Sequence, residues 1–221
     1  MSKEFCVIIP TFNNSDTLES IINDTFKICQ NIIVVNDGST DETSNIIHNL
    51  KDKIIVIKHL NNIGKGQSLR NAFKFAINKK FKYAITIDSD GQHDPKEINL
   101  FIEESIKNPN SILLGARNMN QVSVPKKSSF GNKFSNFWFQ FETGISLSDT
   151  QTGFRLYPLE KLKNIKFFSK KFEFEIEILV RMAWKNVPIK EIPISVNYPE
   201  NRISHFRPLK DFLRISALNT I

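Results

Sequence analysis

Apolar residues in the first half of the chain fall in short unbroken runs, with stripes of helical spacing between them. Phe5–Pro10, Asn31–Asn36, Lys53–Lys58, Lys82–Ile87 and Ser111–Gly115 each read as a buried strand. Between them, Leu18, Ile21, Ile22 and Phe26 mark one face of a helix from Asp16 to Cys29. Thr40 and Asp41 suit the cap of a helix over Thr43–Leu50. Gly64–Lys79 reads as another helix, and Pro95 suits the first turn of one that reaches Lys107. Strands without clean alternation, joined by helices, predict an α/β fold with a mostly parallel central sheet flanked by helices on both faces.

After Gly115 the pattern loosens. Asn120–Ser129 is polar and basic and reads as a linker. Asn132–Phe141 has helical spacing, with Phe134, Phe137, Trp138 and Phe141 on one stripe and Phe139 off it. An aromatic stripe is usually core, so burial is expected for Phe134, Phe137 and Phe141. Phe154–Tyr157 reads as a short strand, Glu173–Trp184 as a helix, Ile189–Val196 as an edge strand and Pro208–Leu218 as a last, amphipathic and peripheral helix. Glu173, Glu175 and Glu177 are expected on a solvated helix face, with Glu175 near an acceptor as a second reading. No linker divides the chain, so one domain over residues 1–221 is expected.

Composition narrows the function classes. No uncharged apolar run is long enough to cross a bilayer, and a strand begins close to Met1, which reads as no signal peptide. Cys6 and Cys29 read as buried thiols of a reducing, cytoplasmic compartment. Residues 1–110 hold 13 Lys and Arg against 14 Asp and Glu, whereas residues 111–221 hold 17 against 9. The +7 net charge therefore lies in the second half, which suits an anionic partner. Nucleic acid is not expected, because the excess is spread over loops with no recognition element.

The chemistry concentrates where strands end. Asp88-Ser-Asp-Gly-Gln-His-Asp94 follows the run Tyr83–Ile87. Two carboxylates one residue apart at the carboxyl end of a parallel strand repel each other and call for a cation. Mg²⁺ or Mn²⁺ takes such oxygen ligands and leaves positions for phosphate oxygens. Three more loops follow predicted strands: Pro10-Thr-Phe-Asn-Asn14, Asn36-Asp-Gly-Ser-Thr40 and Asn61-Asn-Ile-Gly-Lys-Gly66. Parallel strands place all four on one sheet edge. There Asp37 can accept from a ribose hydroxyl or a base N–H, and Lys65 can neutralise a phosphate. The Gly and Lys spacing at 64–66 is not that of a P-loop, and no G-x-G-x-x-G follows the first strand.

Taken together, the motifs resemble family 2 glycosyltransferases of the GT-A fold, nearest the polyprenyl- and dolichyl-phosphate sugar synthases. The matching residues are Val7–Asn13, Val34–Asp41, Asn62–Gly66, Ile87–His93, Gly115-Ala-Arg117 and Asp149-Thr-Gln-Thr-Gly-Phe-Arg155, extended by Glu191–Ile194 and Arg202–Arg207. The resemblance implies a nucleotide-sugar-binding half (1–118) and an acceptor-binding half (119–221). It places Pro10, Thr11, Asn13 and Asp37 at the nucleoside and Lys65 and Asp88 at the ribose or diphosphate. Asp90 and Gln92, beside Asp88, would hold Mg²⁺ or Mn²⁺. Gln151, Thr152 and Gly153 would line the sugar pocket. Arg117, with one or more of Arg155, Arg202 and Arg207, would face an acceptor phosphate. Asn14, Asn36, Lys126, Lys127 and Ser204-His205 depart from the usual residues.

The implied reaction is inverting transfer of a sugar from a GDP- or UDP-sugar to a polyprenyl phosphate, with peripheral contact at the cytoplasmic membrane face. A phosphate monoester, with a second pKa of about 6, needs no strong base. A hydroxyl acceptor of a glycan or glycolipid would need one, and Asp149 is the candidate. Two rivals remain at this stage. A haloacid-dehalogenase-type phosphatase also starts from strand-Asp-x-Asp-Gly, although Gln92 stands where that motif has Thr or Val. The other is a silent sugar-nucleotide-binding module, which intact Asp88, Asp90 and Asp149 argue against.

Overall fold

The computed structural model describes residues 4–117 and 126–197, with backbone alone for 126–130. Seven strands form one sheet. They are β1 (Phe5–Thr11), β2 (Ile32–Asn36), β3 (Ile55–Lys58), β4 (Tyr83–Thr86), β5 (Ile112–Arg117), β6 (Arg155–Pro158) and β7 (Ile189–Ile194), in the order β3-β2-β1-β4-β6-β5-β7. All pairings are parallel except those of β6, which runs antiparallel to β4 and β5. The helices are α1 (Ser15–Phe26), α2 (Thr43–Asn49), α3 (Lys65–Asn78), α4 (Ile98–Lys107), α5 (Lys126–Thr143), α6 (Leu159–Leu162) and α7 (Phe174–Trp184). A single 3₁₀ turn, Pro95–Glu97, precedes α4, with the Asp94 side chain accepting from Lys96 N.

Successive strand residues alternate between two cores. Ile8, Ile33 and Val35 join Leu69, Phe73, Tyr157 and Phe174 on one face. Val7, Ile9 and Val34 join Leu18, Ile22, Phe101 and Phe154 on the other. Because both faces are covered, these strands read as continuous apolar runs rather than alternating ones. Cys6 and Cys29 are free and buried. Burial, and then their mutual repulsion, pushes the Cys6 thiol well above its usual range.

The second half departs from expectation in two ways. The linker read through Ser129 is helical from Lys126 onward. Two of the three phenylalanines expected in the core face outward: Phe137 is 60% and Phe141 74% exposed, whereas Phe134 is half-buried, as is Trp138, and Phe139 is fully buried. The inward face is already taken. Asn132 and Asn136 donate to Ser148 O at 2.9 and 2.8 Å, and Thr150 Oγ1 donates to Ser135 Oγ. Residues 132, 135, 136 and 139 lie three or four apart and share that side of the helix, so 134, 137, 138 and 141 lie on the opposite side. The expected helix over Pro208–Leu218 lies outside the described residues, as do residues 118–125.

Candidate active site

Parallel registry brings the loop starts to one edge: Thr11 sits beside Asn36, and Asn36 beside Lys58. Since β6 runs the other way, the loop preceding it reaches the same edge, with Thr86 beside Arg155. Strand order reverses on either side of β1, so the crevice between the β1 and β4 loops is where an open α/β sheet binds ligands. Ser89 closes that crevice from below. Its hydroxyl donates to Pro10 O and accepts from Asn14 Nδ2 at 2.8 Å, and its carbonyl accepts from Thr17 Oγ1 at 2.5 Å.

The nucleoside-side residues fall into two groups. Thr11 is buried at the end of β1, and its hydroxyl has no partner among the described residues. Asn13 adopts φ 53, and its side chain accepts from Thr40 N, fastening the β1 loop to the β2 loop. Asp37, expected at the nucleoside, is instead committed to the loop after β3. Its carboxylate accepts from His59 Nδ1 at 2.7 Å, Ile63 N at 3.1 Å and Gly64 N at 2.9 Å. It is 4% exposed, so it shapes the cleft wall without facing the opening. Gly38 follows at φ 73 with the Asn61 backbone against it, leaving no room for a Cβ.

The carboxylates of the β4 loop have distinct partners. Asp88 Oδ1 lies 2.7 Å from Lys65 Nζ, and the same ammonium lies 3.0 Å from Glu175 Oε2 on α7. Burial alone would lower the Lys65 pKa, but Asp88 and then Glu175 outweigh it and hold the side chain protonated. Burial would likewise raise that of Asp88, and the Lys65 charge keeps it ionised. Glu173, Glu175 and Glu177 are all buried rather than solvated. Glu177 accepts from Phe168 N, Ser169 N and Arg181 Nε. At the start of α3, Gln67 N donates to Lys170 O, so that amide is already engaged.

Asp90 accepts from Gln92 N at 3.1 Å and, closer, from the Gln92 side-chain amide. As placed, Gln92 orients Asp90 rather than presenting an oxygen to a metal. No group of three or more His, Cys, Asp or Glu placed to hold a metal ion is found among the described residues. Asp88 and Glu175 share the ammonium of Lys65, and Asp90 lies two residues beyond Asp88 on the same loop. The carboxylate oxygens of Asp88 and Asp90 are the donor type for a divalent cation that takes the rest of its sphere from phosphate oxygens.

The other wall comes from β5 and the loop before β6. Arg117 Nε and Nη2 meet Asp149 Oδ2 and Oδ1 at 2.5 and 2.9 Å, a two-pronged pair whose carboxylate is fully buried. The amides of Arg117 and Gln151 also donate to Asp149, and Glu191 accepts from Ser148 N and Asp149 N. Of the expected sugar-pocket residues, Gln151 is half-buried and Thr152 and Gly153 are buried. Gly153 abuts Asp88 so closely that any Cβ would collide with the carboxylate. Arg155, expected near an acceptor phosphate, has no exposed surface. It donates to the carbonyls of Thr152, Glu175 and Thr150 at 2.6, 2.6 and 2.9 Å and to Tyr157 Oη. It braces the loop from behind. Arg202 and Arg207 lie outside the described residues.

His93 and Ser89 received no role from the sequence beyond membership of the motif. His93 is buried with its ring 5.3 Å from that of Phe154, and its Nδ1 has no partner among the described residues. Burial, moderated by the nearby Asp88 charge, pushes its pKa down to about 4 from 6.5. The unfolded chain therefore binds the proton first, and stability is lost as pH falls from 6.5 to about 4. The expected loss, on the order of 3 kcal/mol, should appear in urea unfolding measured across that range. A His93→Gln variant with the same slope would exclude this histidine as its source.

Comparison with known proteins agrees with this geometry. The sequence profile of glycosyl transferase family 2 matches residues 6–166. An uncharacterised protein of Methanocaldococcus jannaschii is 31% identical over 210 residues, 91% of this chain and 84% of its own length. A UDP-N-acetylglucosamine–dolichyl-phosphate N-acetylglucosaminyltransferase of Methanococcus voltae is 28% identical over 215 residues, 88% of this chain and 86% of its own. A polyprenol monophosphomannose synthase of Mycolicibacterium smegmatis is 26% identical over 210 residues, 90% and 79% respectively. Among solved structures, glucosyl-3-phosphoglycerate synthase of Mycobacterium tuberculosis, crystallised with Mn²⁺, uridine diphosphate and phosphoglyceric acid, superposes with a TM-score of 0.71. It is 18% identical, with coverage of 98% of this chain and 75% of that one. Residues 1–349 of S. aureus TarS, in complex with UDP-GlcNAc, give 0.69 at 20% identity, covering 98% of this chain and 65% of that one. The sheet with its reversed β6 is thus the GT-A fold, and the chain belongs to glycosyl transferase family 2.

Proposed function

We propose that this glycosyltransferase moves a sugar, with inversion, from a nucleoside-diphosphate sugar to a polyprenyl phosphate. The observation that carries the acceptor class is the Arg117–Asp149 pair. Both Asp149 oxygens already accept two hydrogen bonds each, from Arg117 N and Nε on one and from Arg117 Nη2 and Gln151 N on the other, so neither faces an incoming hydroxyl. The one candidate base for a hydroxyl acceptor is therefore engaged. A phosphate monoester arrives already ionised and needs only to be held. Arg117, fixed in its plane by Asp149 at the end of β5, is the residue to hold it. The M. voltae and M. smegmatis relatives, whose names specify dolichyl phosphate and a polyprenol product, support the same class.

The donor lies in the β1–β4 crevice, with Thr11 toward the nucleoside and the β4 loop toward the diphosphate. UDP- and GDP-sugars are the donors to test, and the UDP-bound neighbours support the former. Asp90, with Asp88 beside it and Gln92 orienting it, would hold Mg²⁺ or Mn²⁺. When bound, such an ion supplies positive charge that stabilises the departing diphosphate. Lys65 fixes Asp88, and Gly153 lets the pocket loop approach it. The acceptor oxygen attacks the anomeric carbon from the face opposite the leaving group, and the carbon–oxygen bond to the nucleoside diphosphate breaks.

The test is incubation of the protein with labelled UDP- and GDP-sugars, Mn²⁺ or Mg²⁺, and polyprenyl phosphate or the matching polyprenol. Label in a lipid product with the phosphate alone supports the reading. Transfer to the free polyprenol or to a glycan hydroxyl overturns it. Asp149→Asn should raise the acceptor KM and leave kcat within about tenfold, whereas loss of a general base would cost about 10²–10⁴ in kcat.

A further inference from the structure

α5 turns the ordinary amphipathic arrangement inside out. Its polar residues Asn132, Ser135 and Asn136 face the body and clamp the loop that carries Asp149. Phe137 and Phe141 face away, and Phe134 and Trp138 beside them are half-buried. Phe137 and Phe141 stack with ring centroids 6.4 Å apart, and the Trp138 ring lies 5.7 Å from each. Phe134 extends the row at 6.2 Å from Trp138. Trp184, at the end of α7 and 59% exposed, donates to Glu142 O and widens the patch. A continuous aromatic surface of this kind on a basic half-protein marks an interaction site.

We infer that this face seats the protein on an anionic lipid surface, with the α5 aromatics entering the headgroup region. The inference rests on the lipid-phosphate reading above and names the surface from which that acceptor would be drawn. Charge selects a lipid surface over a protein partner. α5 carries Lys126, Lys127 and Lys133 against one acid, Glu142, and Lys185 is exposed next to Trp184. Burial raises the pKa of Glu142 from its ordinary value, which eases its approach to negative headgroups. Helices with Trp and Phe on one side and lysines at the margins lie in the interfacial plane. Position selects it as well. Ser148, held by Asn132 and Asn136 on the reverse of the same helix, adjoins Asp149 and hence Arg117. The helix that would meet the lipid thus also holds the loop that carries the Arg117–Asp149 pair.

Both tryptophans of the chain, Trp138 and Trp184, belong to this patch, so intrinsic fluorescence reads it directly. The full chain is mixed with phosphatidylcholine vesicles with or without phosphatidylglycerol, free of polyprenyl phosphate and of donor. The expected result is a blue shift and co-flotation with the phosphatidylglycerol vesicles. Salt should weaken it, and the double variant Phe137→Ser, Phe141→Ser should weaken it about tenfold. That variant should unfold at the wild-type urea midpoint and keep its donor-induced thermal shift. Neither blue shift nor flotation with anionic vesicles overturns the inference. So does emission already blue before vesicles are added, which would mean that residues 198–221 cover the patch. A concentration-dependent dimer abolished by the variant would make a second copy the occupant and likewise overturn it. Vesicle binding without sugar transfer to polyprenyl phosphate would leave this inference standing and sink only the acceptor reading.

Discussion

Asp90→Ala is expected to lower sugar transfer by about 10³-fold while leaving the protein folded. The half-buried carboxylate sits on the β4 loop and accepts from Gln92 N and the Gln92 amide. Removing it costs little packing, because the loop is held independently by Ser89 and by Asn197 N, which donates to Gln92 O. What is lost is the ligand that concentrates positive charge on the departing diphosphate, a group whose stabilisation in a closed site contributes several kcal/mol. Thermal shift separates binding from chemistry. Wild type at about 100 times Kd should gain roughly 2.7 kcal/mol from a nucleoside diphosphate with Mn²⁺. The variant should gain little, and EDTA should reduce wild type to the same level. Transfer within tenfold of wild type, or a nucleotide shift indifferent to EDTA, would remove Asp90 from this role.

Arg155→Met is expected to produce the largest stability loss of any single change at the site. The side chain is wholly buried, and methionine nearly matches its stem. Its charged head, however, satisfies the carbonyls of Thr150, Thr152 and Glu175 and the hydroxyl of Tyr157. Each buried acceptor left without a donor costs about 1–3 kcal/mol. A total near 4 kcal/mol corresponds to a fall in Tm of about 8–16 °C for a domain of this size. Scanning calorimetry checks it, and a shift under 2 °C would mean that water reaches these carbonyls readily.

The first half was readable because parallel strands buried on both faces announce themselves as short apolar runs. Phe5–Pro10 was expected and Phe5–Thr11 is found; Lys82–Ile87 was expected and Tyr83–Thr86 is found. The gathering of four loops at one edge followed from that topology alone. Periodicity was less informative about α5. It correctly grouped Phe134, Phe137, Trp138 and Phe141 on one face, but spacing says which residues share a side and not which way that side turns. The deciding contacts run from Asn132 and Asn136 to Ser148, a loop not placed until the sheet is assembled. The acids of α7 show the same limit. Three glutamates at alternate positions look solvated, yet Glu175 meets an ammonium 110 residues earlier in the chain. Arg155 matched a motif by position while its environment assigned it to the interior. Local pattern carries secondary structure; the fate of a charge depends on partners distant in sequence.

The antiparallel strand also governs how the protein can be made. β4 and β5 never touch each other, because β6 lies between them and β7 closes the far side of β5. A chain emerging from the ribosome can join β1 to β4 as soon as residue 86 is out. β5 must wait for Arg155–Pro158, and the outer edge of the sheet for Ile189–Ile194. At about 5–20 residues per second, the interval between β5 and β7 lasts roughly 4–15 s. Until residue 158 is made the run Ile112–Leu114, fully buried in the finished protein, has neither of its strand neighbours, and until residue 194 it has only one. Such exposed strand edges invite pairing with other chains. Yield should therefore depend on synthesis speed and chaperone supply more than on final stability, and a fragment ending near residue 118 would keep that edge open indefinitely.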